Sequence, residues 1–251
     1  MAERTSYAPG TFSWVELATS DADAAKAFYA EVFGWGYQDT PIGDGMVYST
    51  ALVDGKAAGA LFMSADQPPH WNCYVTVASV DDTTARVSGL GGRVLAEPFD
   101  VMEVGRMSVV ADPTGAALSL WEPRTHIGAS VVNQPGALTW NDLVTPDPDA
   151  AGRFYGDLLG WTYQEIPESG GYRVIRNGER TNGGIPPVHG ENPPAWLPYF
   201  GHADVDAAVA RIGELGGRAL SEPMDIGMGR IAVVADPQGA AFALWTGDYE
   251  D

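Results

Sequence analysis

One stretch of this chain occurs twice. Gly10 to Trp35 reads GTFSWVELATSDADAAKAFYAEVFGW, and Gly136 to Trp161 reads GALTWNDLVTPDPDAAGRFYGDLLGW. Aligned without gaps, the two match at 12 of 26 positions, the mark of an internal repeat. Both copies place Trp, Leu, Thr and Asp on a strand and turn, then Asp-Ala-Ala and Phe-Tyr on a helix, then Gly-Trp. Whatever this chain folds into must use that unit twice.

Other landmarks recur in the same order. Thr11 to Thr19 has strand length and bulky residues, and Asp21 is a good N-cap for the helix that Gly34 closes. Met46 to Val53 and Lys56 to Met63 flank Asp54-Gly55, a two-residue hairpin signal, since a type I′ turn needs two residues that tolerate positive φ. Trp71 to Ala78 then reads as a strand. Asp81 or Asp82 opens a short helix that runs to Gly91-Gly92, and three strands follow. The last turn is Asp112-Pro113-Thr114-Gly115. In the second half, Asn177-Gly178 stands for Asp54-Gly55, Pro193-Pro194 for Pro68-Pro69 and Gly216-Gly217 for Gly91-Gly92. Asp236-Pro237-Gln238-Gly239 repeats the last turn, and Trp245 matches Trp121. Each half reads as strand, helix and about three strands, twice over. The expected organisation is a domain at 8–124, a linker at 125–135 and a second domain at 136–248.

The chain has 251 residues, with 33 Asp and Glu against 14 Lys and Arg, a formal charge of −19. That field repels duplex nucleic acid and anionic lipid, and tolerates a neutral or cationic small molecule. The single cysteine, Cys73, permits no intrachain disulfide and lies in an apolar run, so it reads as a buried, inert thiol. With no apolar leader and no membrane-length apolar run, the expected location is the cytoplasm. No dinucleotide-binding, P-loop or Gly-x-Ser-x-Gly pattern is present.

Taken together, the Asp-helix-Phe-Tyr-Gly-Trp opening, the Gly-Gly after the second helix and the Asp-Pro-x-Gly turn resemble the vicinal oxygen chelate superfamily. That family includes glyoxalase I, bleomycin-resistance proteins and extradiol dioxygenases. The resemblance spans about residues 10–122 and 136–246 and is nearest to an actinobacterial group of tandem, glyoxalase-like proteins often labelled hydroxylases. It implies an α+β fold of four βαβββ modules, forming two domains whose mixed sheets curl around a cleft. Four modules make a monomer self-sufficient and leave a homodimer open.

In metal-dependent members the cleft holds four ligands of the His, Glu or Gln type. The resemblance places those positions here at Trp14, Asn72, Ser119 and near Gly59-Ala60, and in the second copy at Trp140, Leu197, Ala243 and near Gly183-Gly184. Those side chains do not make a transition-metal site, which needs three or four His, carboxylate or thiolate groups. The histidines His70, His126, His189 and His202 fall elsewhere. The expectation is therefore no metal and no cofactor.

If Trp14 and Trp140 face inward, every second residue does too. Glu16 and Asp142 follow, with Tyr74 beside Asn72 and Tyr199 beside Leu197. A Trp, a carboxylate and a Tyr in each cleft suit a flat organic ligand, with Glu16 and Asp142 as candidates for proton transfer. Two other readings stay open: the indoles fill the space as core, and the carboxylates are exposed strand charges. Arg106 and Arg230 are candidates for holding a ligand anion, or they pair with an acid such as Glu103 or Asp225. The function these residues point to is metal-independent binding, with or without transformation, of a small organic ligand. The alternatives are a lactoylglutathione-lyase-like lyase, a hydroxylase or oxidoreductase, and non-catalytic sequestration of a drug or metabolite.

Overall fold

The computed structural model describes residues 2–43, 45–188 and 193–249. A short N-terminal strand, β1 (Ala2–Glu3), precedes the first module: β2 (Phe12–Thr19), α1 (Ala22–Phe33), β3 (Gly36–Gly43), β4 (Met46–Val53) and β5 (Lys56–Met63). The second is β6 (His70–Thr76), α2 (Val80–Val87), β7 (Arg93–Val101), β8 (Gly105–Ala111) and β9 (Ala117–Pro123). After β10 (Val131–Val132) the third is β11 (Leu138–Val144), α3 (Pro148–Leu159), β12 (Thr162–Glu165), β13 (Arg173–Asn177) and β14 (Arg180–Ile185). The fourth is β15 (Ala195–Gly201), α4 (Val205–Glu214), the two-residue β16 (Arg218–Ala219) and β17 (Met224–Asp225), β18 (Gly229–Ala235) and β19 (Ala241–Gly247). This is the α+β architecture of four βαβββ modules.

Local chemistry fixes the helices. Asp21, Ser79, Asp147 and Asp204 each accept a backbone N–H of the first helical turn. Gly34 and Gly160 close α1 and α3 in the left-handed conformation, at φ 71° and 78°.

The modules join in pairs. The first sheet runs β3-β4-β5-β2-β6-β9-β8-β7, and the second runs β12-β13-β14-β11-β15-β19-β18-β16, with β17 also on β18. At each centre two modules meet antiparallel: Trp14 pairs with Tyr74 and Glu16 with Asn72, while Trp140 pairs with Tyr199 and Asp142 with Leu197. Alternation then puts Trp14, Glu16 and Tyr74 on one face, and Trp140, Asp142 and Tyr199 on its counterpart. Both central strands carry a bulge one residue before the Trp.

The opposite faces of the two sheets, with their helices, share one apolar core that runs from Phe12 and Tyr29 through Phe200 to Phe242. The repeated motif makes this seam. The Trp35 indole donates to the Gly136 carbonyl and the Trp161 indole to the Gly10 carbonyl, both at 2.7 Å. Tyr29 donates to Asp236 of the second Asp-Pro-x-Gly turn at 3.0 Å, and Tyr155 faces Asp112 of the first. Phe12 packs on Trp161 and Trp196 with ring centroids 5.5 and 4.9 Å apart. The Phe-Tyr and Gly-Trp landmarks of each half thus belong to a core shared with the other half. Cys73 is buried in that core, and burial pushes its thiol well up.

Two local expectations are corrected. Asp54 and Gly55 both take positive φ, 49° and 75°, as a type I′ turn requires. In the second half Asn177 pairs with Arg180, so the loop is Gly178-Glu179, with positive φ at Gly178 alone. Asn177 instead donates its side-chain amide to the Pro9 carbonyl and the Thr11 hydroxyl of the first half. The segment 125–135 is more than a connection. It includes β10, which pairs with β1, and it crosses the first sheet's concave face.

Candidate functional site

Each concave face centres on one carboxylate. In the first, Glu16 accepts the Tyr74 hydroxyl at 2.7 Å on Oε1 and the Tyr48 hydroxyl at 2.9 Å on Oε2. The Trp14 indole N–H donates to the Tyr48 hydroxyl at 3.0 Å. In the second, Asp142 accepts Tyr172 at 2.6 Å on Oδ1 and Tyr199 at 2.7 Å on Oδ2. The Trp140 indole N–H reaches both Asp142 Oδ1, at 3.0 Å, and the Tyr172 hydroxyl, at 2.9 Å. Two phenols, an indole and an acid recur on the two faces.

Asp142 is one methylene shorter than Glu16, and its surroundings compensate. Ala60 pairs with Glu16, whereas Gly184 pairs with Asp142. A Cβ at Gly184 would lie 1.9 Å from the Tyr172 hydroxyl and 2.7 Å from Asp142 Oδ1. The missing side chain lets the phenol settle over the strand onto the shorter acid.

Electrostatics follow from this burial. Desolvation lifts the Glu16 carboxyl above its ordinary value, against the Tyr74 and Tyr48 hydrogen bonds and the nearby His70, which lower it. Desolvation also lifts Asp142, opposed by Tyr172, Tyr199 and Trp140. The phenols move upward in turn, chiefly by burial and then by the adjacent carboxylate. Each face therefore holds an acid closer to neutral pH than an exposed carboxylate, in reach of hydroxyls that can donate.

The cleft set read from the sequence, Trp14, Glu16, Asn72 and Tyr74 with Trp140, Asp142 and Tyr199, comes together on these faces. Asn72 is engaged at 3.2 Å by the His70 ring. Arg106 and Arg230 do not join them. Arg106 lies bidentate on Asp81 at 2.7 and 2.9 Å, with Asp100 at 3.1 Å, and Arg230 lies bidentate on Asp206. Both reach helix N-termini on the side of the sheet opposite the carboxylates. Their hydrogen-bonded acids are Asp81 and Asp206, and Asp225, opposite Arg230 across β17 and β18, acts on it through its charge. The sequence reading missed Tyr48 and Tyr172. They occupy equivalent places two residues before the partners of Ala60 and Gly184, so matching β4 to β13 would have found them.

A divalent cation does not fit this donor set. The positions that the resemblance assigns to ligands hold Trp14, Asn72, Ser119 and Gly59-Ala60 on one face, and Trp140, Leu197, Ala243 and Gly183-Gly184 on the other. Among the described residues no three His, Cys, Asp or Glu side chains cluster as ligands. The one acid on each face is already committed to phenol hydrogens. His202 accepts the Asp204 N–H at 3.0 Å, and His189 lies outside the described residues.

The two faces differ in cover. Over the first, Ala129 donates its N–H to the Ser13 carbonyl and Ser130 to the Ala57 carbonyl, both at 2.7 Å. The Tyr7 hydroxyl ties on at the Ala129 carbonyl, also at 2.7 Å. Gly128, at φ 110°, is required there, because a Cβ would lie 2.3 Å from the Ser13 carbonyl oxygen. Trp14, Tyr74 and Trp121 close with Ala129 and Val132 into a small apolar cluster. Over the second face, Trp140 and Trp245 stay partly exposed where Trp14 and Trp121 are buried, and Met224, Ile226 and Met228 on the neighbouring hairpin are open to solvent; Tyr48 and Asn72 are partly exposed like Tyr172 and Leu197, and Glu16 is partly exposed where Asp142 is buried. A separate 440 Å³ groove lies beside α3, lined by Asp149, Gly152, Arg153 and Tyr163. It opens where Gly152 stands in place of Lys26, and it contains neither carboxylate–phenol set.

Comparison with known proteins bears on both halves. Residues 11–120 match the model of the glyoxalase/bleomycin resistance protein/dioxygenase superfamily, and residues 137–245 match a glyoxalase-like domain. The chain is 44% identical over 255 residues to "Putative glyoxylase CFP32" of Mycobacterium bovis, covering 97% of each. It is 34% identical over 265 residues to the anthracycline biosynthesis protein DnrV of Streptomyces peucetius, covering 96% of this chain and 94% of that one. In fold it is similar to a Mn(II)-bound glyoxalase from Novosphingobium aromaticivorans, with a TM-score of 0.66 and 18% identity, covering 97% of this chain and 85% of the other.

Proposed function

The chain belongs to the glyoxalase/bleomycin resistance protein/dioxygenase superfamily, and we propose that it is a metal-independent member that binds a small organic molecule and moves a proton on it. The observation that carries this reading is the carboxylate held by two phenols and an indole where the resemblance expects a metal. Asp142 is desolvated and raised, the condition of a general base or acid working near neutrality. The name of the relative DnrV supports an aromatic ligand.

The chemistry follows from the hydrogen bonds. The Asp142 carboxylate takes a proton from a carbon next to a carbonyl group, and the electron pair of that C–H bond moves onto the carbonyl oxygen as an enolate. Once protonated, Asp142 needs fewer donors, so the Tyr172 and Tyr199 hydroxyls turn to the enolate oxygen. Return of the proton to another carbon gives an isomer, and return to the same carbon gives exchange. Lyase or hydroxylase chemistry through a bound cation would need ligands that the concave faces do not supply.

The test is hydrogen exchange. Chelator-treated protein is incubated in D₂O with a panel of enolisable aromatic ketones, and deuterium uptake is followed by NMR. Uptake that disappears in Asp142→Asn supports the reading. Uptake restored only by a divalent cation, or none above the Asp142→Asn level across the panel, overturns it.

A further inference from the structure

In the first half, Lys26 of α1 reaches the edge of the sheet. Its ammonium donates to both oxygens of Asp39 on β3, at 2.7 and 2.8 Å, and stands 5.8 Å from the centre of the Tyr37 ring. The Ser49 hydroxyl joins Asp39 from β4 at 2.7 Å. Further along α1, Glu31 is paired with Arg211 at 2.7 Å. Two cations of the chain thus cover two acids beside a tyrosine ring.

The second half keeps the acids and the ring and loses both cations. Gly152 stands for Lys26, Gly156 for Ala30, Asp157 for Glu31, Tyr163 for Tyr37 and Glu165 for Asp39. Arg86, the counterpart of Arg211, turns to the Asp157 and Leu158 carbonyls instead of the carboxylate. Arg173 replaces Ser49 opposite the acid, but its guanidinium goes to Asp149 at 2.7 Å. Among the described residues, neither the Asp157 nor the Glu165 carboxylate has an ion-pair partner. What remains is the 440 Å³ groove between α3 and β12–β13, with Gly152, Gly156 and the Tyr163 ring inside it and both acids on its wall. Packing does not require the glycine at 152. The atoms nearest to a Cβ there all belong to the Tyr163 ring, at 3.6–4.0 Å, an ordinary contact. Glycine also weakens a helix interior relative to alanine, so what it supplies at that position is open space over the ring.

We infer that this groove binds a linear aliphatic diammonium ion. One ammonium sits on Glu165 as that of Lys26 sits on Asp39, the methylene chain runs along Gly152, Gly156 and Tyr163, and the other ammonium meets Asp157. The methylenes cover the ring and the glycine backbone as a lysine stem does, while the charged ends stay near water. An ammonium beside the ring gains the attraction of its π face. The formal charge of −19 draws a cation in. Arg153, also on the groove wall, is a like charge that holds the affinity down. The site lies apart from both concave faces and stands whether or not Asp142 moves a proton.

Calorimetric titration of the whole chain with 1,5-diaminopentane at low salt tests it. Pentylamine controls for the second charge, and Mg²⁺ for charge without a chain. The expected result is one site per chain, with both controls at least threefold weaker. Gly152→Lys hands the groove the ammonium that Lys26 supplies in the first half. It weakens the diamine at least tenfold and keeps the melting temperature at or above that of wild type. Glu165→Gln and Asp157→Asn each weaken the diamine about threefold, the scale of an exposed ion pair. Arg153→Ala tightens it, and Glu97→Gln, at an exposed acid on β7, leaves it unchanged. Multiple equal sites, pentylamine or Mg²⁺ binding as tightly, indifference to Gly152→Lys or to Glu165→Gln, or no binding of the diamine each overturn the inference.

Discussion

On the first concave face, Trp14 is 3% exposed against His126, Ala129 and Val132, while Glu16 keeps partial exposure. On the second, the equivalent Trp140 is partly open and Asp142 is 5% exposed. Both sides hold an acid, two phenols and an indole, with Glu16 on one and the shorter Asp142 on the other. What differs is the polypeptide laid across one of them. A duplicated unit can thus keep its inner chemistry in both copies while one copy's indoles are packed under an added segment.

The largest effects should come from the acids. Asp142→Asn should cut the exchange rate by about 10²–10⁴-fold, the worth of a positioned general base, with Glu16→Gln nearly silent; NMR exchange assays on both variants decide. Equal losses would erase the distinction between the faces. The indoles should separate in the opposite sense. Trp14→Ala, emptying a sealed cluster, should cost about 3–5 kcal/mol of stability, and Trp140→Ala about 1–2 kcal/mol, read by urea denaturation. Removing a phenol should matter less: Tyr48→Phe or Tyr172→Phe should each cost about 1 kcal/mol in the same assay. Tyr172→Phe alone should slow exchange.

The smallest effect concerns pH. Burial depresses the His126 pKa, so the unfolded chain binds the proton more readily. Its contribution is complete above the unfolded value of about 6.5 and is lost as pH falls towards the folded one. The melting temperature of wild type should drop more steeply below pH 6.5 than that of His126→Leu. For Asp142 the shift is upward, so the acid limb of the exchange rate should sit above the range of an exposed aspartate.

Much of this was legible in the chain. The repeat gave four modules, and the two-residue period of a strand carried Glu16 and Asp142 to the same face as Trp14 and Trp140. The repeat put Tyr29 and Tyr155 on helices, but only the assembled fold shows that each reaches a turn in the other half. Tyr48 and Tyr172 escaped because they come from a strand two places across the sheet, whose register depends on hairpin lengths that vary between copies. The covering segment escaped because Gly128, Ala129 and Ser130 read as linker composition. They are held by the Ser13 and Ala57 carbonyls, which accept the Ala129 and Ser130 N–H groups and which no local pattern reveals. The acids that hold Arg106 and Arg230 escaped for a similar reason: Asp81 and Asp206 lie 25 and 24 residues away in sequence.

The central claim is that the acids of both faces serve phenols and not a cation. Elemental analysis of protein produced in medium supplemented with Mn, Fe, Ni and Zn tests it most directly, with Asp142→Asn and Glu16→Gln measured alongside. The account predicts far less than one transition-metal ion per chain and no difference among the three proteins. One ion per chain in wild type, lost from either variant, would contradict it.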